Sequence, residues 1–367
     1  MTTNKNPLGI HALVWVGGTG PQDVRTAIDK TKACGFDLLE FSLHDSVNMD
    51  RVRTAIDKTK NGLADLLERS LARDADVSSE DPAVVDRGAK LLLESLEVTH
   101  DIGGHILTGA LYSAFGKADK PLSKKGRDNV VAVLKSFAEE ARAKDVTLGL
   151  DKKNRYETNV VNTARDALRL ADDIGSDNVM IHLDIYHMNI EENDLVTPVK
   201  DAGDRLGYVH IGENHRGYLG SGHLDFPSFF GALSDIGYDG YITFESFSSA
   251  VVSPGLSNDL AIWRNLWDDG EDLARKAHAF MTEQLSDLAI WCNVWDLCRP
   301  AGREPLRPAG RRTPPAWHHR CPRGRQDHSR SRPPCTTERK ARSCVRRPPA
   351  HGRIPSSRHP ARSSRDT

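Results

Sequence analysis

The chain has 367 residues and a formal net charge of −1, with 50 Lys+Arg set against 51 Asp+Glu. That balance joins two unlike parts, since residues 287–367 hold 19 basic and six acidic residues, twelve of the 19 prolines and five of the six cysteines. The acidic remainder excludes a nucleic-acid-binding body, the lack of an 18-residue apolar run excludes a membrane span, and one body cysteine, Cys34, excludes a disulfide framework there.

In chain order, residues 1–7 lead without an apolar leader into a strand candidate at Gly9–Trp15, so a cytoplasmic location is expected. The Gly17-Gly18-Thr19-Gly20 cluster that follows reads as a loop, because no Gly-x-Gly-x-x-Gly opens a helix after this strand. Further strand candidates are Leu38–Leu43, His105–Gly109, Thr147–Leu150, Val179–Asp184, Tyr208–Ile211 and Tyr241–Glu245, with one damaged unit near 63–71. Helix-like segments lie between them. Val130, Val133, Leu134, Phe137, Ala138 and Ala141 form one apolar stripe, and Leu273, Ala277, Phe280 and Met281 form another. Nine residues, VRTAIDKTK, occur at both Val24–Lys32 and Val52–Lys60, and DLAIW occurs at Asp259–Trp263 and Asp287–Trp291. Structural repeats keep pattern and rarely keep nine identical residues, so a local duplication or a sequence error explains them better.

Strand–helix alternation with apolar strands argues for a parallel sheet, and seven units plus the damaged one fit an α/β fold of the (β/α)8 TIM barrel type. A doubly wound open sheet is the alternative. The expected division is a barrel at 1–286 and an Arg/Pro-rich tail at 287–367. The tail's composition cannot bury enough surface to order itself, and its cysteines form no Cys-x-x-Cys pair that would suit zinc. It reads as a disordered appendage, an out-of-frame translation or a basic arm.

At or beside the C-terminal ends of the last four strand candidates stand Asp151, Asp184, His210 and Glu245, spaced by 33, 26 and 35 residues, one βα unit each. In a parallel barrel every strand's C-terminal end faces the same mouth, so these side chains converge. Three carboxylates and an imidazole suit Mn²⁺, Mg²⁺ or Co²⁺. Any one acid alone would read as a strand-end cap; four in successive strands read as a site. Asn154, Arg155, Tyr156, Glu157, His187, Glu213, Asn214 and Arg216 lie in sequence near the same mouth, with solvated loop charge as the alternative for each. His182 is either a further inward ligand or a satisfied core histidine.

The runs HLDIYHMNIEE (182–192), YVHIGENHRGYLGSGHLDF (208–226) and ITFESF (242–247) resemble the D-tagatose 3-epimerase/D-allulose 3-epimerase family of ketose 3-epimerases. ALYSAFGK (110–117) and DADVSSEDP (74–82) add to the likeness, which runs from about Asn6 to Leu285 and is nearest to D-allulose and L-ribulose 3-epimerases. The resemblance implies a xylose-isomerase-like barrel, a ketose substrate, a homodimer or homotetramer, and a divalent ion, usually Mn²⁺, that polarises the ketose carbonyl. It implies that Asp151 and Glu245 flank C3 as the proton-transferring pair and also touch the metal, with Asp184 and His210 completing its shell. By the same likeness Glu157, His187 and Arg216 hold the O1–O3 end of the sugar. Aldose–ketose or hydroxypyruvate-type isomerases of this barrel class, and a barrel that binds metal or sugar without turnover, are the alternatives.

Two departures from the family stand out. Asp151 replaces a Glu, and Lys152-Lys153 replace apolar residues; the lost methylene draws the carboxylate back by about 1.5 Å, one carbon–carbon bond. A misplacement of about 1 Å can cost roughly a hundredfold, and neighbouring lysines would keep Asp151 ionised and a weaker base, so a slow enzyme is expected. At Leu66–Ser70 the family has a small-residue pocket for the far end of the sugar; here Glu68 and Arg69 enter it, and charges in a barrel layer are costly unless paired.

Overall fold

A computed structural model describes residues 6–43 and 64–297. The second copy of the nine-residue repeat and the tail from 298 onward lie outside the described residues. Eight parallel strands close into a barrel in sequence order: β1 (Leu8–His11), β2 (Leu38–Leu43), β3 (Ala64–Arg69), β4 (Ile106–Thr108), β5 (Thr147–Asp151), β6 (Val179–Asp184), β7 (Leu206–Ile211) and β8 (Tyr241–Phe244). The outer helices are α1 (Pro21–Ala33), α2 (Pro82–Asp101), α3 (Lys124–Ala143), α4 (Ala164–Ile174), α5 (Ile185–Glu191), α6 (Thr197–Ala202), α7 (Phe226–Asp235), α8 (Pro254–Asp259) and α9 (Gly270–Leu297). None of the described helices is long and apolar enough to cross a membrane.

Strand periodicity explains how the interior is layered. Side chains two apart share a face, so each strand sends alternate residues inward. At the N-terminal end Leu38, Leu66 and Tyr208 pack together with Ile106, Met180 and Tyr241 as an apolar plug. Two residues further along the same strands stand Glu40, Glu68, Thr108, His182, His210 and Thr243, all buried. The apolar plug therefore closes the bottom, and the interior turns polar toward the mouth.

The expected strands are present with shifted ends. The first stops at His11, and Ala12–Val14 turn into a 3₁₀ helix whose Leu13 N–H donates to His11 Nδ1 at 3.1 Å. All three turn residues are buried, so apolarity alone does not separate them from a strand. The fourth strand stops before Gly109, which adopts φ 117°, where a Cβ would strike the carbonyl oxygen of Arg69. The damaged unit forms a full strand, pairing along six positions of β2. Arg69, one residue out of phase with Glu68, faces α2 instead of the interior: its Nε donates to Ser95 Oγ at 2.8 Å and its NH1 to the Leu43 carbonyl.

The helices carry the stripes read from sequence. In α3, Ser123 accepts the Gly126 N–H as N-cap, and Val130, Leu134, Phe137, Ala138 and Ala141 are buried. Leu134→Ala, at a fully buried position, is expected to cost about 2–5 kcal/mol of unfolding free energy, measurable by urea denaturation. Leu273, Ala277 and Met281 of α9 are buried likewise, and the helical backbone continues past Ser286 to Leu297.

Candidate active site

His210 lies at the centre of the polar interior. Its Nε2 lies 2.6 Å from Glu40 Oε2, and Tyr208 donates its hydroxyl to the same oxygen at 2.7 Å. A histidine held this way at Nε2 presents Nδ1 to the site, the usual arrangement of a carboxylate-backed metal ligand. His210 Nδ1 faces Glu245 Oε2 at 3.6 Å and Asp184 Oδ2 at 3.9 Å. Asp184 uses its other oxygen to cap α5, accepting the Tyr186 N–H at 2.7 Å. Among the described residues His210 Nδ1 and Asp184 Oδ2 have no hydrogen-bond partner although both are buried. Leaving such atoms unpaired is costly. Asp184, His210 and Glu245 offer three ligand atoms within 4.8 Å of one another, a donor set that fits a hard divalent cation.

The fourth expected ligand stands apart. Asp151 joins His182 and His210 in a separate group of potential ligand atoms. Its Oδ2 is 2.5 Å from Lys153 Nζ, and Lys153 also reaches Glu68 Oε1 at 3.0 Å. The expected hold of a neighbouring lysine on Asp151 is present and is opposed by burial. Burial, helped by Glu68 and Asp184, outweighs Lys153 and pushes Asp151 up to about 8. Of the two lysines Lys153 takes part: Lys152 is buried one residue out of phase, its Nζ has no hydrogen-bond partner among the described residues, and burial pulls it down to about 8. For Glu245 burial also favours the neutral acid, but Arg216, His210 and Lys153 together outweigh it and hold the carboxylate at about 2. His210 shows the same contest with opposite sign: burial opposes its charge, while Glu40 and Glu245 push it up to about 10.

The expected sugar-contacting residues also converge here. Asn154 offers both its backbone N–H (3.3 Å) and its side-chain Nδ2 (2.8 Å) to His187 Nδ1. That orients His187 Nε2 toward Asp184 Oδ2 at 3.4 Å and Glu157 Oε2 at 3.7 Å. Burial, with Lys153 and Arg216, pulls His187 well below the ordinary histidine range, so it is a neutral donor at Nε2. Burial raises Glu157 to about 6. Arg216 pairs with Glu245, approaches Asp184 Oδ2 at 3.6 Å and lies over the Tyr186 ring, 3.8 Å from its centroid. It holds φ 62°, and its carbonyl accepts a 2.5 Å bond from Ser246 Oγ, which in turn accepts Trp267 Nε1–H at 2.8 Å. A non-glycine residue in that backbone region costs roughly 1–3 kcal/mol, held here by these contacts.

Other residues near the mouth divide by role. Arg155 pairs with Glu191 at the surface and Tyr156 is exposed. Glu213 accepts the Gly220 and Asn214 N–H groups and so shapes the loop after β7. His182 is held by Thr108 Oγ1 at 2.8 Å and stacks edge-on against Tyr208 and His210, as a core histidine does, and its group with Asp151 and His210 fits the ligand reading as well. Glu40 and the inward course of Lys153 escape a reading of strand ends, although a Glu amid the apolar run LLEFSL is a visible signal for the first. A cavity of about 350 Å³ opens beside the cluster, lined among others by Glu68, Lys153, Glu157, Tyr186, Arg216 and Glu245.

Residues 28–284 match the model of the xylose isomerase-like TIM barrel family. The chain is 46% identical over 276 residues to the L-ribulose 3-epimerase of Methylomonas sp., covering 75% of this chain and 96% of that protein. It is 45% identical over 279 residues to the ketose 3-epimerase of Arthrobacter globiformis, covering 76% and 96%. Among solved structures, D-allulose 3-epimerase from Methylomonas sp. in complex with D-allulose superposes with a TM-score of 0.72 at 44% identity, over 76% of this chain and 97% of that one. The barrel, the converging ligand atoms at its mouth and these similarities lead to one assignment: the chain belongs to the ketose 3-epimerase family of xylose isomerase-like TIM barrels.

Proposed function

We propose that the protein inverts C3 of ketoses, interconverting pairs such as D-fructose and D-allulose and accepting L-ribulose-type substrates. The carrying observation is the buried triad of Asp184, His210 and Glu245, whose unpartnered Asp184 Oδ2 and His210 Nδ1 fit a divalent ion. We assign that ion as Mn²⁺, with Mg²⁺ or Co²⁺ as substitutes, and count Asp151 as the fourth potential ligand. When bound, the ion supplies Lewis-acid polarisation of the ketose carbonyl.

The proton transfers fall to the chain's own residues. Inverting C3 needs one group to take the proton from one face and another to return a proton to the opposite face, with the roles exchanged in the reverse direction. Asp151 ends β5 and Glu245 follows β8, separated in the sheet by β6 and β7, so the two carboxylates enter from different walls. The electron pair of the broken C3–H bond forms a C2–C3 double bond as the carbonyl pair moves onto O2, and the pair returns to C3 when that enediolate is reprotonated. His187 Nε2–H and the Arg216 guanidinium are donors for the oxygens at the O1–O3 end, and Glu157 accepts from a sugar hydroxyl. A homodimer or homotetramer is the assembly we propose, to be checked by sedimentation.

The direct test is proton exchange at C3 of D-fructose in D₂O, followed by NMR with metal-stripped protein and again with added Mn²⁺. Mn²⁺-dependent label at C3 with D-allulose appearing is the expected result. Label at C1 would assign an aldose–ketose isomerase. Bound Mn²⁺ without any exchange would leave a metal-binding barrel, a reading favoured by the Lys153 ammonium on Asp151. A second measurement addresses the triad. Glu40→Ala removes the partner of His210 Nε2 and is expected to weaken Mn²⁺ binding 10- to 100-fold by isothermal titration, the size typical of losing such a support.

A further inference from the structure

We propose that Lys153 is a built-in cation that competes with the divalent ion for Asp151. The protein then binds its metal through Asp184, His210 and Glu245 while Asp151 is withheld. The inference rests on the metal-dependent reading above and concerns residues of this chain alone. Three observations carry it. Lys153 Nζ sits at ion-pair distance from both Asp151 Oδ2 (2.5 Å) and Glu68 Oε1 (3.0 Å), so it is fixed from two strands, the end of β5 and β3. Asp151 has no place among the three mutually close ligand atoms of Asp184, His210 and Glu245. Lys153 also lines the cavity where substrate would enter, beside Glu68, Glu157 and Glu245.

A second metal in the neighbouring group of His11, Glu68 and Glu245 is a weaker reading of the same acids. His11 Nδ1 accepts the Leu13 N–H, which places the ring proton on Nε2, the nitrogen that would have to bind the ion. His11 Nε2 lies 3.7 Å from Glu68 Oε2. Glu68 is paired with the Lys153 ammonium at 3.0 Å. It anchors the ammonium; it does not recruit a cation from solution.

Removing the ammonium frees Asp151 as a ligand, but losing any positive charge from the site would also strengthen cation binding through the general field. The two effects separate in a double-mutant cycle on Mn²⁺ affinity, measured by isothermal titration of metal-stripped, full-length protein. Lys153→Met keeps the length of the side chain and removes the charge; it is expected to tighten Mn²⁺ binding at least tenfold. Asp151→Asn in the parent is expected to change affinity less than threefold, whereas in the Lys153→Met background it should cancel most of the gain. Equal effects of Asp151→Asn in both backgrounds would reduce the lysine to a field effect and overturn the proposal, as would no tightening in Lys153→Met. Circular dichroism and melting confirm that each variant is folded. If the methionine variant does not fold, Lys153→Gln, a neutral donor, should move affinity in the same direction by a smaller factor. Failure of every protein, parent included, to bind Mn²⁺ would overturn the metal reading itself and with it this inference.

Discussion

Glu245→Gln is expected to lower the rate of C3 deuterium exchange and of ketose epimerisation at least ~10³-fold relative to the parent, with the fold intact. Two losses combine. A positioned carboxylate that moves a proton is worth roughly 10²–10⁴ in rate, and Glu245 also supplies one of the three converging ligand atoms. The amide has the same shape, but it cannot take a proton from carbon and binds a hard cation weakly. Arg216 loses its partner in this variant, yet it keeps Asp184 Oδ2 at 3.6 Å and its place over the Tyr186 and Phe247 rings. The melting temperature should therefore fall by no more than a few degrees. Retention of more than a tenth of the parent's exchange rate, with the variant folded, would remove Glu245 from the proton-transferring pair.

The barrel and its mouth were legible in the sequence because they rest on periodicity. Parallel strands buried on both faces read as short apolar runs, and the residue closing each run marks the mouth without any knowledge of packing. Ends were less legible where the next residues are buried for another reason, as at Ala12–Val14, whose turn is as apolar as a strand. Tertiary contacts set the end of β4 too: Gly109 turns where the Arg69 carbonyl leaves no room for a side chain.

The charges of the third unit were the least legible part. Reading 68 and 69 together places two charges in one barrel layer, but strand alternation sends them to opposite faces. Arg69 is satisfied against α2 by Ser95 and Leu43, and Glu68 alone enters the interior. Glu68 there meets Lys153, 85 residues later, at 3.0 Å. Neither residue identifies the other in sequence, since it is the pairing of both β3 and β5 with β4 that brings the two strands together. The two features singled out in the sequence are one structural unit: Glu68 of β3 pairs with Lys153, which pairs with Asp151. Breaking such a pair on one side only is strongly destabilising, which makes the two substitutions mutually dependent.

Asp151→Glu is expected to raise kcat/KM for D-fructose epimerisation, by as much as roughly a hundredfold, because the added methylene restores about 1.5 Å of reach toward C3 and the metal ligands. Asp151 now lies close enough to His210 to share a group of ligand atoms with it, yet outside the set formed by Asp184, His210 and Glu245. Overpacking a closed interior costs roughly 1–3 kcal/mol, but the mouth here opens into a cavity of about 350 Å³, so the variant should melt within a few degrees of the parent. With Glu68 anchoring the tip of Lys153, a longer side chain carries its carboxylate past the ammonium toward the metal ligands. Rate and metal affinity should therefore rise together in Asp151→Glu. A variant that binds Mn²⁺ more tightly but turns over no faster would show that carboxylate reach limits metal binding and not the chemical step. One that gains neither would assign the whole deficit to the ammonium beside it, and Lys153→Met would then be the variant in which the carboxylate at 151 first becomes productive.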